Sequence, residues 1–181
     1  ALLTETRELH ISRPEPDGSF LIDWQSRFTA HDHRVELERT PISGQTGGKS
    51  WGGYAGLGLR LDTRTLKSIQ LSDDQGRHGL DIHGQPARWT DVSGTLLATD
   101  QQAGITIFDH PDNPRHPPPG YVINHELPAH QLVFAYTNPG LLYEKGMTLK
   151  PHETLSLKYR ILVHAGNRTP DQLKQIFKAM P

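Results

Sequence analysis

The chain has 181 residues, 34% of them hydrophobic and 22% charged, with 17 Gly, 14 Pro and no Cys. A formal net charge of −1 gives no long-range positive field to gather nucleic acid or an anionic membrane surface, and no apolar stretch approaches the length that crosses a bilayer. Without cysteine there is no disulfide, no thiolate metal site and no cysteine nucleophile, while eleven His residues form the main reserve of titratable chemistry near neutral pH.

From the amino end, the first expected strand is Glu5–Ser12, closed by the turn Pro14-Glu15-Pro16-Asp17-Gly18. Next, Phe20, Ile22, Trp24 and Phe28 fall on one face and Asp23, Gln25 and Arg27 on the other, the period of a half-buried strand. Arg34–Arg39 follows, then the turn Ser43-Gly44-Gln45-Thr46-Gly47-Gly48. Leu57, Leu59 and Leu61 alternate with Gly58, Arg60 and Asp62. Leu66–Leu71 leads into the turn Asp73-Asp74-Gln75-Gly76. Ala87–Leu97, Gly104–Phe108, Tyr121–His125 and Leu132–Tyr136 are further strands, with a turn at Asn138-Pro139-Gly140. Leu155, Leu157, Tyr159, Ile161 and Val163 then alternate with Ser156, Lys158 and Arg160. One helix is expected at the end, with Thr169 as cap, Pro170 at the first helical position and a stripe of Leu173, Ile176 and Phe177 to pack on the sheet. Many short strands with regular turns predict an all-β antiparallel β-sandwich, one domain over residues 1–181, with a single C-terminal helix.

Three stretches carry the chemistry. In Ile105-Thr106-Ile107-Phe108-Asp109-His110-Pro111-Asp112-Asn113-Pro114-Arg115-His116-Pro117-Pro118-Pro119-Gly120 a β-branched run ends in acid, imidazole, amide and guanidinium on a proline-stiffened loop. Such a loop either holds a site on a scaffold or merely joins two strands. Asp109 and His110 are adjacent, so they share a cleft only if the strand ends or bulges there, which Pro111 encourages. In Trp51-Gly52-Gly53-Tyr54-Ala55-Gly56-Leu57-Gly58-Leu59-Arg60, glycines permit close backbone approach and the two aromatics offer flat faces for a sugar ring. The alternative is a glycine-rich strand entry with Trp51 as a core plug. In Gln85-Pro86-Ala87-Arg88-Trp89-Thr90-Asp91-Val92-Ser93-Gly94, Asp91 lies on the same face as Trp89 and needs a partner if buried, which Arg60 or Arg115 could supply.

Glu144, in the turn Tyr143-Glu144-Lys145-Gly146, is either a solvated turn residue or, if the fold brings it to His110, one half of an acid/base pair. His31-Asp32-His33 and the group His78, Asp81 and His83 lack any zincin spacing, and there is no Gly-x-Ser-x-Gly elbow. No metal site and no cofactor are therefore expected. Ala1 opens no signal peptide, as holds also for a mature exported chain, so a soluble protein of open compartment is expected, a secreted or periplasmic one included.

The runs Trp51 to Arg60, Ala87 to Gly94 and Phe108-Asp109-His110-Pro111-Asp112-Asn113-Pro114-Arg115-His116-Pro117 together resemble the PmoA-like family of bacterial proteins. The label "methane oxygenase" attached to that family implies a membrane-embedded copper subunit, which a chain with no membrane span does not match. Members are usually longer at the amino end, so the resemblance implies that this chain lacks a His-rich segment that in those members precedes the part present here. The run Met147 to Leu155 and on to Tyr159-Arg160 is loosely similar to the terminal strands of aldose epimerases, with His152 where a glycine usually stands. These likenesses imply a galactose-mutarotase-like sandwich acting on or binding a small-molecule carbohydrate.

The expected site takes His110, Asp109 and Glu144 as catalytic groups and Trp51, Tyr54, Arg60, Arg88, Asn113 and Arg115 as substrate-binding groups. A non-catalytic interaction domain and a metal-dependent oxygenase or lyase remain as alternatives. Composition says nothing of the oligomeric state.

Overall fold

The two long period-two runs pair with each other and organise the fold. In this computed structural model, which describes residues 1–127 and 132–180, they are β2 (Phe20–Ala30) and β11 (Thr154–Ala165), antiparallel from Thr154 opposite Thr29 to Val163 opposite Phe20. Around them β1 (Leu3–Ile11), β7 (Gln102–Asp109), β6 (Trp89–Leu96) and β5 (Leu66–Asp73) complete a six-stranded sheet in the order β1-β2-β11-β7-β6-β5. A second layer holds β4 (Leu59–Asp62), β9 (Leu132–Pro139) and β8 (Gly120–Leu127) in one sheet, and β3 (Val35–Leu37) with β10 (Met147–Leu149) in another. All the named strand pairs among the described residues are antiparallel, as in a sandwich built from antiparallel sheets.

The interior lies between the layers. Leu71 and Val92 of the large sheet meet Val122 and Ala135 of the small one. At the other end Ile107, Leu155, Leu157 and Tyr159 pack on Val35, Leu141, Leu142 and Leu149. Thr90 and Thr137 join their hydroxyls across the layers at 2.6 Å, so the polar atoms of this seam satisfy one another.

The large sheet is covered on its outer face too, by α1 (Pro170–Lys178). Thr169 and Gln172 form a reciprocal capping box at its start, and Leu173 packs on Trp89, Phe108 and Leu162. This cover changes the alternation expected along β11. Arg160, assigned to a polar face by its sequence period, is only 7% exposed and grips Asp23 through two bonds of 2.6 and 2.8 Å. The partners of buried Asp91 come from the neighbouring strands β11 and β7, and neither Arg60 nor Arg115 is among them. His164 Nε2 lies 2.9 Å from Asp91 Oδ1, and the Thr106 hydroxyl donates to the same oxygen at 2.7 Å. Gly104 faces His164 across the strand pair, and a Cβ there would stand 2.5 Å from the imidazole.

The strand of three residues at β10 is too short for any period to reveal. Among the described residues no helix is long and apolar enough to cross a membrane.

Candidate functional site

β7 ends at Asp109 because Pro111 follows, and the loop beyond it folds back on β11. The buried Asp109 carboxylate accepts from Asn113 Nδ2 at 2.8 Å and from His116 Nδ1 at 2.7 Å. Burial pushes the Asp109 carboxyl above its usual range, and the His116 and Asn113 bonds counter that only in part. Asn113 also accepts from the Lys158 N–H and donates to the Lys158 carbonyl, both at 2.7 Å. Its side-chain amide thus imitates one more residue of a neighbouring strand just where β7 has stopped. Arg115, in a left-handed conformation with φ of 66°, donates to the carbonyls of Leu141, Lys145 and Gly146 at 2.8, 2.7 and 2.9 Å. It stitches the turn before β10 to the loop.

His110 accepts at Nδ1 from the Asp112 N–H at 3.0 Å and lines a cavity of about 340 Å³ with His10, Asp23, Gln25 and Lys158 among its neighbours. Glu144 is not among the residues lining that cavity. It is an exposed turn residue whose carbonyl accepts from Arg39 at 2.6 Å. Arg88 turns to Asp74, donating from both Nε (2.6 Å) and its backbone N–H (2.8 Å), and covers the rings of Trp89 and Phe177.

Trp51, Tyr54 and Arg60 do come together, away from that loop. Arg60 on β4 stands opposite Tyr136 on β9, which stands opposite Ile123 on β8, so the three share the outer face of the small sheet. With Trp51, Tyr54 and Tyr121 they line a cavity of about 240 Å³. Tyr121 meets Tyr54 and Tyr136 edge-on, each at 5.8 Å, and its hydroxyl donates to the Trp51 carbonyl at 3.1 Å. Burial raises the phenols of Tyr121 and Tyr136, so both are protonated at neutral pH, with the one hydroxyl hydrogen of Tyr121 given to the Trp51 carbonyl. Trp51 is 50% exposed and Tyr54 48%, so Trp51 is no core plug. The glycines set this up: a Cβ on Gly52 would stand 2.0 Å from the Pro41 carbonyl, and Gly53 takes a φ of 96°. Buried Asn138, which sequence reasoning passed over, clamps the segment by accepting from the Ala55 N–H (3.0 Å) and donating to the Leu57 carbonyl (2.9 Å).

A third concavity was not anticipated. The inner face of β1, β2 and β11 opens into a cleft of about 530 Å³. On its floor Arg7 donates to both oxygens of Glu5 (2.9 and 2.8 Å), Ser26 donates to Glu5 (2.9 Å), and Trp24 Nε1 donates to Ser26 (2.9 Å). These bonds hold the Glu5 carboxyl below its usual range. The break at Ser26 in the apolar face of β2 was its sequence signal.

Among the described residues no group of three His, Asp or Glu is placed to hold a metal ion. His31 Nε2 lies 2.7 Å from the Thr4 hydroxyl, and His83 donates to the Val122 carbonyl at 3.0 Å, so the two histidine groups do not converge.

A family model described as a family of unknown function, DUF6807, matches residues 1–178, and the chain belongs to that family. No curated protein and no solved structure matches it.

Proposed function

We propose that the protein is a carbohydrate-binding β-sandwich whose sugar site is the aromatic cavity on the outer face of β4, β9 and β8. The observation that carries this reading is the pairing of two half-exposed aromatics, Trp51 and Tyr54, with the phenols of Tyr121 and Tyr136 and the guanidinium of Arg60 around one 240 Å³ cavity. Leaving two large rings in water forgoes about 25 cal/mol for every Å² of apolar surface. A sugar ring recovers that surface: its C–H face lies on an aromatic ring while its hydroxyls meet donors at the edge. The cavity suits one sugar ring or the end of a chain rather than a buried oligosaccharide, and Arg60 suits a hydroxyl or a carboxylate on that ring. The resemblance to galactose-mutarotase-like sandwiches points toward sugars as well.

Binding is favoured over turnover because Glu144, the candidate base, is exposed and does not line the cavity beside His110. The test is binding across a glycan panel by the wild type, Trp51→Ala, Tyr54→Ala and Tyr121→Phe. Losing one stacking ring should weaken binding about tenfold, on the order of 1.4 kcal/mol. A wild type that binds no glycan in the panel would sink the proposal.

A further inference from the structure

We propose that a second copy of this chain docks on the free edge of β1, antiparallel and in a single register, joining two six-stranded sheets across a two-fold axis. β1 is the edge strand, and among the described residues only β2 pairs with it. Its nine residues run without a bulge, and eight of them are exposed. The opposite edge is blunted: β5 slips register between Lys67 and Gln70, and Ser68 takes a φ of 54°. β1 carries charges but no bulge, no left-handed residue and no proline. Around it Leu2, Leu9 and Ile11 stand 62%, 48% and 63% exposed. A long, straight, unpaired edge with apolar side chains is a template for another strand.

The backbone dictates which residues face the newcomer. The Ser12 N–H donates to the Leu21 carbonyl and the His31 N–H to the Leu2 carbonyl, so the even-numbered residues of β1 turn their backbone groups to β2. Leu3, Glu5, Arg7, Leu9 and Ile11 therefore present theirs to the free edge.

Charge then selects the register. In an isologous pair, residue i meets residue j and j meets i. An axis nearer either end, at Thr4, Leu9 or His10, pairs fewer residues of β1, and one at Glu5, Arg7 or Glu8 sets each of these against its own copy, like charge on like. An axis at Thr6 sets Glu5 against the partner's Arg7, Leu3 against the partner's Leu9, and Thr6 against the partner's Thr6. Glu5 and Arg7 already bridge within the chain at 2.8 Å, so the dimer places four alternating charges in one cluster. The partner's Leu9, beside Leu3, extends the apolar part of the lining of the 530 Å³ cleft into the second protomer.

Sedimentation of the 181-residue chain over a concentration series tests this, with Arg7→Glu, Glu5→Arg, the double exchange Glu5→Arg/Arg7→Glu and Leu9→Lys. The wild type should be a dimer that weakens as salt rises. Each single charge reversal, and Leu9→Lys, should weaken the dimer at least tenfold, and the double exchange should restore it. Circular dichroism on the same samples checks that the monomers are folded; Leu9→Lys leaves the Glu5–Arg7 bridge intact and so reads the edge on its own. A wild type that is monomeric throughout overturns the proposal. So does a dimer that the single variants leave unchanged, or a double exchange that stays dissociated.

Discussion

Asp109, Asn113 and Arg115 turn their polar atoms into the protein, whereas Trp51 and Tyr54 turn their rings out of it. The loop after β7 is rich in groups that catalysis uses, yet its carboxylate, amide and guanidinium are held by His116, by the Lys158 backbone and by the carbonyls of Leu141, Lys145 and Gly146. The cavity on the outer face of the small sheet has Arg60 as its one charged lining residue among the described residues, and its aromatics have open space beside them. The lesson is that a charged group entering a folded chain must find partners or stay wet. Polar side chains that find them inside the chain hold it together. Apolar surface left in water is the better sign of a ligand.

The contrast breaks most readily at Asn113. Asn113→Ala removes its bonds to Asp109 and to both backbone groups of Lys158, and urea denaturation should show a loss of about 3 kcal/mol, at roughly 1 kcal/mol per bond. Arg115→Ala, releasing three carbonyls in a less buried place, should cost about 2 kcal/mol. If either variant keeps its stability and loses glycan binding, the loop belongs to the site after all.

Asp109 sharpens the same contrast through pH. Its folded pKa is raised by burial, so its contribution to stability is full below the unfolded carboxylate range and is lost as pH climbs through the raised value. Stability of the wild type minus that of Asp109→Asn should therefore fall with rising pH across that window. A difference that rises with pH would mean that the His116 bond, not burial, governs the carboxyl.

The smallest effect on stability is expected at the other region. Trp51→Ala and Tyr54→Ala, half-exposed in the fold, should shift unfolding by no more than about 0.5 kcal/mol each. A loss of several times that would make the rings structural and remove the reason to assign them to a ligand.

Strands were legible wherever one face meets water. Phe20, Ile22, Trp24 and Phe28 keep to one face of β2, and Thr169-Pro170 announces the helix by capping chemistry that is local in sequence. The alternation misled at Arg160, where α1 buries the second face and no local signal records it. The candidate site was legible in part. Trp51, Tyr54 and Arg60 were singled out together because they are neighbours in sequence, and Tyr121 and Tyr136 were not, because only the pairing of β4, β9 and β8 brings them there.

By itself, then, the amino-acid order determined the sandwich of antiparallel strands, the capped helix and the lack of a thiolate or long apolar helix. Periodicity and capping act within a few residues, so they survive in one dimension. The tertiary structure alone decided that Asp91 meets His164 rather than an arginine, that Asn113 bonds the Lys158 backbone of β11, and that β1 is the edge strand of the large sheet among the described residues. Each of those outcomes depends on which distant strand lies alongside, and that is set by the sum of many packing contacts rather than by any local run of residues.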